Sequence, residues 1–220
     1  MNIGVLGGTG PAGRAVVVRL ASAGFEVTLG SRAKERAQET CEHLLARWPG
    51  RDLPIQPGDN ATAAAADVVI VATPWEAAST TAASVAPELE GKVVISMANA
   101  LAKVGDEFLP LIPPRGSVTA GVQAAVPEAL VVAALHHLPA RELGDLDRQL
   151  DADVLVCSDH PEAIATASEL IGRVPGLRAL DAGRLSSAAA IEALTPVLLQ
   201  INIRYKARSS IRLTGINTDP

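Results

Sequence analysis

Residues 4–13 read GVLGGTGPAG, a glycine-rich turn between a short apolar segment and the alanine- and valine-rich segment GRAVVVRLASAG. Gly8, Gly10 and Gly13 give the spacing G-x-G-x-x-G at the predicted junction of a first strand and a first helix. In this context the first glycine permits a tight turn, the second lets the backbone approach a pyrophosphate, and the third lets the helix pack closely. The stretch therefore predicts a dinucleotide site, with the pyrophosphate at the positive end of the helix dipole.

The rest of the chain repeats this order of strand and helix. Strands are predicted at 2–6, 26–30, 54–57, 67–72, 92–96, 130–135, 153–157 and 178–181. Helices are predicted at 11–23, 33–47, 75–87, 117–126, 161–172 and 186–207. Near-continuous apolar runs such as DVVIVATP are typical of parallel strands that helices cover on both faces. We therefore predict an α/β fold: a doubly wound, mostly parallel Rossmann-type sheet with a small C-terminal α/β extension.

The end of the second predicted strand indicates which dinucleotide fits. A site for NAD usually has an acidic residue about 20 residues after the glycine turn, which accepts hydrogen bonds from the ribose 2′-hydroxyl. Here the corresponding stretch contains Ser31 and Arg32, with Lys34 and Arg36 in the first turn of the next helix. A guanidinium binds a 2′-phosphate through charge-assisted hydrogen bonds, whereas cations at a helix N-terminus are otherwise unfavourable. The pattern favours NADP over NAD.

Composition limits the class of partner. The net charge of −5 argues against a nucleic-acid surface, because such binding needs clustered cations. No apolar stretch is long enough to predict a membrane span, and the N-terminus lacks the pattern of a leader peptide. The two cysteines lack metal-ligand spacing and fit a reducing compartment. We expect a cytoplasmic protein without metal that binds small-molecule cofactors, and a homodimer because the last helix is apolar.

Familiar catalytic pairs of dehydrogenases are missing from the sequence. Tyr205 is the only tyrosine and Lys206 follows it directly, so no Tyr-x-x-x-Lys pair exists. Among four histidines, His136 and His137 differ because they close a predicted strand, at the carboxyl end where open α/β sheets bind ligands. For these two rings, a ligand contact and strand-end packing are equally compatible with the sequence. We assign no catalytic residue.

Two other strand ends contribute candidate residues of a cleft. Trp75 follows the fourth predicted strand, with Ser79 one helical turn later, and Asn99 and Leu101 follow the fifth. A tryptophan in a chain with 2% aromatic residues suits a planar ligand, although core packing is the alternative. A dinucleotide site with apolar walls and no proton donor is typical of hydride transfer between two cofactors. Holding two rings about 3 to 3.5 Å apart supplies roughly 7–11 kcal/mol of barrier reduction.

These motifs resemble those of the NADPH-dependent reductases of the 5-deazaflavin coenzyme F420, also called F420H2:NADP+ oxidoreductases. The resemblance runs in order through LGGTGPAG, GSRAKERA, ATPWE, ALHHLPA, VCSD, GLRALDAG and IEALTPVLLQI, over nearly the whole chain. It implies hydride transfer between NADP(H) and coenzyme F420, held face to face. It also implies a division into an NADP-binding domain, residues 1–150, and a small extension, residues 151–220, that completes the acceptor cleft.

The resemblance assigns roles to particular residues. The residues it carries over to the phosphate loop are Thr9, Gly10, Pro11 and Ala12. Those carried over to the 2′-phosphate are Ser31, Arg32 and Arg36, and those of the cofactor cleft are Trp75, Ser79, Leu101 and Ala140. The family's His-x-x-Pro-Ala is met by His136, His137, Leu138, Pro139 and Ala140.

The C-terminal tail departs from the family, in which it is often glycine-rich and apolar. Here it reads YKARSSIRLTGINTDP, with the basic residues Arg204, Lys206, Arg208 and Arg212. Two interpretations stay open: contacts to the phosphate and glutamate tail of the deazaflavin, or a solvated helix end, where cations are favourable.

Two other functions share the predicted NADP site. One is an NADPH-dependent reductase of a different acceptor, such as a flavin, a quinone or a ferric chelate. The other is a non-enzymatic module that senses NADP(H) through a protein contact.

Overall fold

The computed structural model describes residues 1–216 as an α/β protein built around ten strands. The strands are β1 (Asn2–Leu6), β2 (Glu26–Ser31), β3 (Ile55–Asp59), β4 (Val68–Val71), β5 (Val93–Ser96), β6 (Leu101–Val104), β7 (Glu107–Pro110), β8 (Leu130–Ala133), β9 (Ala152–Val156) and β10 (Leu177–Asp181). The helices of the same residues are α1 (Pro11–Ser22), α2 (Lys34–Arg47), α3 (Asn60–Ala64), α4 (Trp75–Ala83), α5 (Ala86–Leu89), α6 (Val118–Ala125), α7 (Ala140–Leu143), α8 (Pro161–Gly172) and α9 (Ala188–Tyr205).

Six strands form one parallel sheet in the order β3-β2-β1-β4-β5-β8. Alternate side chains of each strand enter different hydrophobic clusters: Val68 and Ile70 enter one, whereas Val69 and Val71 enter the other. The period of two residues explains this division, because successive side chains point to opposite faces of a sheet. The predicted doubly wound α/β fold is confirmed. The winding reverses between β1 and β4, where such sheets bind ligands.

The predicted elements match the observed ones closely, with four differences, one of which is that the short helix α7 was not predicted. All eight predicted strands form, and each boundary agrees within two residues. The β6–β7 hairpin was not predicted, because its strands have four residues each and are largely exposed. Helix α3 was also not predicted, and the helix expected at 75–87 divides into α4 and α5, with Pro87 in the first turn of the second.

The C-terminal part adds a second, smaller sheet. Strands β9 and β10 pair in parallel and are joined by α8, so they form one β-α-β unit. An isolated bridge between Ala133 and Cys157 connects this unit to the last strand of the large sheet. Its residues Val154 and Leu170 lie in the same hydrophobic cluster as Ile3 of β1. The expected small α/β extension therefore forms, and it shares the main core.

The tail returns to β9 and is held by a buried carboxylate. Asp153 is fully buried and accepts hydrogen bonds from Arg178 Nε at 2.7 Å and Nη2 at 2.8 Å. Arg212 Nη1 and Leu213 N of the tail donate to the same carboxylate at 3.1 and 2.6 Å, and Asp153 N donates to Ile211 O at 2.8 Å. Chiefly because of the hydrogen bonds from Arg178, the pKa of Asp153 is lowered to about 2. The tail thus lies along β9.

The basic residues of the tail differ in their surroundings. Arg208 Nη1 lies 3.1 Å from Glu142 Oε1 of α7, and Arg212 is held by Asp153. Arg204 and Lys206 are exposed at the end of α9, as expected for a solvated helix end. Two of the four cations are therefore paired within the protein, an arrangement that neither interpretation of the sequence included.

Candidate functional site

The glycine turn after β1 is built from four glycines rather than three. Gly7, not Gly8, adopts the left-handed conformation, with φ +77°, so it makes the tight turn. A Cβ at Gly8 would lie 2.7 Å from Leu29 Cγ, which makes this glycine a buried packing position. A Cβ at Gly13 would lie 2.4 Å from Gly7 O, because α1 packs directly on the turn. The tight turn that the motif assigns to Gly8 is thus made by Gly7, the residue before it.

The N-terminus of α1 faces the space above this turn. Gly10 is the N-cap residue, and no side chain in residues 1–216 caps the first amides of the helix. The first turn contains no acidic residue and begins with Pro11, which has no N–H to leave unpaired. Free amides and the helix dipole together favour an anion at this point.

A cavity of about 770 Å³ extends from the glycine turn to the end of β2. Its lining includes Gly7, Thr9, Gly10, Ser31, Arg32, Ala33, Arg36, Asn60, Thr73, Thr80, Thr81 and Ser84. Within the described chain, neither Arg32 nor Arg36 forms an ion pair with a carboxylate. A site for a phosphate-rich dinucleotide needs cations without carboxylate partners and enough space, and this cavity offers both beside the N-terminus of α1.

Some residues of this larger cavity were not predicted. Asn60 follows β3 directly, in the same way that other predicted site residues follow their strands. It was missed because the helix that it begins, α3, was not predicted. Thr73 lies between the end of β4 and Trp75, inside the quoted motif ATPWE. The hydroxyls of Thr80 and Ser84 donate to carbonyls within their own helix at 3.1 and 2.7 Å, so α4 presents a mildly polar face.

A second cavity of about 490 Å³ adjoins the first and shares Gly10, Ala72, Thr73 and Pro74 with it. The predicted residues that line it are Pro11, Ala12, Trp75, Asn99, Leu101 and Ala140. They come from the starts of α1, α4, β6 and α7 and from the segment between β5 and β6. The fold therefore brings six separately predicted residues to one mostly apolar space.

Ser79 lies on a different cavity from the one formed by these six residues. It lines a third space of about 440 Å³, together with Trp75, Glu76 and Arg115. Trp75 borders both this space and the smaller cavity beside α1. Glu76 also borders both spaces, whereas Ser79 lines only the third one.

The rings of His136 and His137 are in the protein interior. Leu135, with φ +67°, turns the chain inward after β8, and both histidines are only 4% exposed. Neither residue lines any of the three cavities. Burial lowers the pKa of His136 to about 3 and that of His137 to about 4, so both rings are neutral near pH 7. Of the two interpretations left open by the sequence, this structure agrees with packing: His137 Nε2 accepts a hydrogen bond from Leu155 N at 3.4 Å.

The backbone of this segment is nevertheless bonded to Asn99, a residue that lines the smaller cavity. His136 O accepts a hydrogen bond from Asn99 Nδ2 at 2.9 Å, and Thr195 Oγ1 of α9 lies 3.1 Å from the same carbonyl. Thr195 Oγ1 also lies 3.0 Å from Asn99 Oδ1. Leu138 packs on the main core and Pro139 is the N-cap of α7, so the segment positions the wall without lining it.

The fold and the paired cavities define a Rossmann-type dinucleotide-binding protein. A family described as "NADP oxidoreductase coenzyme F420-dependent" matches residues 2–100. The F420-dependent NADP reductases of Methanocaldococcus jannaschii and Methanothermobacter marburgensis are 37% and 35% identical to this chain, each over 98% of it and 99% of the relative. A solved structure from Arthrobacter sp. FB24, provisionally assigned as an F420-dependent NADP reductase, superposes with TM-score 0.80 at 26% identity and covers 97% of this chain and 100% of its own. The chain belongs to the coenzyme F420-dependent NADP oxidoreductases.

Proposed function

We propose that this protein is an oxidoreductase that transfers a hydride between NADP(H) and the deazaflavin coenzyme F420. The observation that carries the proposal is the pair of adjoining cavities that meet at Gly10 and Thr73, one of which contains two guanidinium groups and several hydroxyls while the other is lined mainly by apolar side chains. Curated relatives that match almost the full chain are F420-dependent NADP reductases. They disfavour a flavin, quinone or ferric chelate as the acceptor, and equally a sensor without turnover.

The larger cavity is the proposed site of the adenosine and phosphate groups of NADP. The turn and the first amides of α1 would hold the pyrophosphate, with Thr9 adding a hydroxyl. Ser31, Arg32 and Arg36 would hold the 2′-phosphate, and a guanidinium suits this group because it donates two parallel hydrogen bonds. The absence of an acidic residue at the end of β2 supports this choice over NAD.

The smaller cavity is the proposed site where the two reacting rings meet. When the cofactors are bound, NADPH supplies the hydride and the oxidised deazaflavin takes it up together with one proton from water. Apolar walls such as Pro11, Leu101 and Ala140 would shield the reacting ring faces from water, and Asn99 offers an amide that α9 holds in place. No residue needs to exchange a proton in this scheme, so positioning carries the catalysis.

The decisive experiment is a hydride-transfer assay with both cofactors. Purified protein is mixed with NADPH and oxidised coenzyme F420, and the loss of deazaflavin absorbance is followed. We expect turnover with NADPH and much slower turnover with NADH. Flavin, quinone and ferric chelate acceptors are measured under identical conditions as controls. Intact NADPH binding without any turnover of the deazaflavin would contradict the proposal.

We also propose that the protein is a homodimer whose copies meet at α9. On this helix Val197, Ile203 and Tyr205 are at least half exposed. Phe108 N of the β6–β7 hairpin donates to Gln200 Oε1 of the helix at 3.2 Å. Residues Leu185–Tyr205 are also long and apolar enough to cross a membrane by composition alone, with mean hydropathy 1.2. Because the helix is anchored to the soluble core through Thr195, a second copy is the preferred cover for this face.

The oligomeric state is tested by light scattering coupled to size exclusion. Ile203→Glu places a charge on the exposed apolar face and is expected to give monomers, whereas Glu169→Gln, on α8, serves as the control. A wild-type monomer at micromolar concentration would overturn this assignment. Binding to lipid vesicles at the same concentration would favour the membrane instead.

Three further expectations accompany the proposed function. We infer a cytoplasmic location, which the buried thiols of Cys41 and Cys157 support, and no nucleic-acid partner, which the net charge of −5 supports. We also infer a division near residue 150 into an NADP-binding domain and an extension that completes the acceptor cleft. The contact from Thr195 to Asn99 supports that role of the extension.

A further inference from the structure

Helix α7 links the wall of the smaller cavity to the helix that begins at the glycine turn. Its first residue, Ala140, lines the cavity. This short helix packs on α1. The first residues of α1, Pro11 and Ala12, line the same cavity. The distance between these parts of the wall therefore depends on how α1 and α7 pack.

A buried arginine fastens the two helices together. Arg19 of α1 is 7% exposed, and its guanidinium donates to three backbone carbonyls at the end of α7. The distances are 2.8 Å from Nε to Leu143 O, 3.0 Å from Nη2 to Glu142 O and 2.7 Å from Nη2 to Asp145 O. The last carbonyls of a helix lack partners within the helix, so one rigid side chain satisfies several of them at once.

A glycine lets the two helices approach closely. Gly144, the C-cap of α7, has φ −87° and ψ 1°, a conformation open to any residue. A Cβ at this position would nevertheless lie 3.2 Å from both Cα and Cβ of Ala15 and 3.3 Å from Ala140 O. Close packing, and not backbone freedom, is thus what favours glycine here. A methyl group would push α1 and α7 apart by a few tenths of an ångström.

We propose that Arg19 and Gly144 are positioning residues that set the width of the cleft in which the two cofactor rings meet. The inference rests on the proposed function, because hydride transfer requires the rings at a fixed short separation. A misplacement of 1 Å costs on the order of a hundredfold in rate, so a few tenths of an ångström corresponds to roughly threefold to tenfold.

Gly144→Ala tests the proposal with a single methyl group. We expect kcat for hydride transfer to fall about threefold to tenfold, in line with that distance dependence, while the Kd of NADPH stays within twofold. Gly172→Ala is the matched control, because Gly172 ends α8 with no heavy atom within 4 Å of the added Cβ. The double variant Ala15→Gly/Gly144→Ala removes one of the three close contacts of the added methyl group and is expected to recover part of the lost rate.

Two further measurements separate positioning from a general loss of stability. In a crystal structure of Gly144→Ala, we expect Ala140 to lie farther from Pro11 than in the wild-type protein. The six-stranded sheets of the two proteins should superpose without change. Arg19→Met is expected to lower kcat at least as much as Gly144→Ala, and Arg19→Lys to recover part of the loss, at temperatures where all variants remain folded.

The inference is overturned if Ala140 does not move in that crystal structure, or if the rate falls equally in Gly172→Ala. It is also overturned if the double variant is no faster than Gly144→Ala alone. The crystal structure needs no turnover, so it decides about the helix contact even if coenzyme F420 is not the acceptor. Failure of the wild-type protein with that coenzyme contradicts the proposed function alone.

Discussion

The two adjoining cavities differ in what they offer a ligand. The larger one presents guanidinium groups, hydroxyls and the glycine turn, which suit a charged ligand. The smaller one is lined mainly by proline, alanine, methionine, leucine and tryptophan side chains, which recognise shape. Under the proposed function, binding energy would be concentrated in the larger cavity, at a distance from the reacting atoms, and the geometry of the reacting rings would be set in the smaller one. Such a division allows tight binding of one cofactor without constraining the exchange of the other.

A bulky residue at the shared glycine turn should destroy both cavities. In Gly13→Val the new Cβ meets Gly7 O and Gly8 Cα, which are backbone atoms that cannot move without opening the turn. We expect a loss of about 3 kcal/mol in the free energy of unfolding and no measurable NADPH binding. Thermal unfolding and titration calorimetry measure the two effects, with Gly172→Val as the control. An NADPH Kd within threefold of wild type would refute this role of Gly13.

A change confined to the larger cavity should affect the choice of dinucleotide. Arg32→Ala removes a charged donor from the proposed 2′-phosphate site, and hydrogen bonds to charged groups contribute about 1.5–3 kcal/mol. We expect the Kd of NADPH to rise roughly 10- to 150-fold and that of NADH to stay unchanged. Arg47→Ala, at the other end of α2, is the control. An equal loss for both dinucleotides would show that the 2′-phosphate is bound elsewhere.

A change confined to the smaller cavity should affect the acceptor instead. Trp75→Ala removes the wall toward the cavity that contains Ser79, and a stacked aromatic contact contributes about 0.5–1.5 kcal/mol. We expect the KM of the deazaflavin to rise roughly fivefold, with NADPH binding nearly unchanged. Trp75→Phe keeps an aromatic wall and should behave much like wild type. If instead the NADPH Kd rises and the deazaflavin KM does not, the two sites have been assigned in reverse.

The smallest effect concerns the buried histidines beside these cavities. An unfolded histidine titrates near pH 6.5 and folded His137 near pH 4, so the unfolded state binds more protons between these values. The free energy of unfolding should therefore fall as the pH drops below 6.5, by about 1 kcal/mol at pH 5.5 from His137. Chemical denaturation of His137→Gln across this range should give a shallower slope. A slope identical to that of wild type, or a kcat that titrates with His137 near pH 6.5, would contradict the assignment.

The larger cavity was the easier of the two to predict. Its main residues follow β1 and β2 directly, so the sequence places them at strand ends where the parallel fold must gather them. Trp75, Asn99 and Leu101 of the smaller cavity were likewise predicted from strand ends, but two details near it follow from no local pattern. Leu135 adopts a left-handed conformation without being glycine, and this turn sends the histidine rings inward. Ser79 has the helical spacing that places it near Trp75, but it lines a different cavity from the one beside α1.

The hydrogen bonds that hold the tail on Asp153 also cover the free edge of strand β9. Strand β9 pairs with β10 on one side only, and a free edge is a template for pairing with another chain. Ile211 and Leu213 cover this edge through their bonds to Asp153. Truncation after Arg208 would remove that cover together with Arg212 and would leave the Asp153 carboxylate with fewer donors. A shortened chain should therefore aggregate even though the residues that line both cavities remain complete.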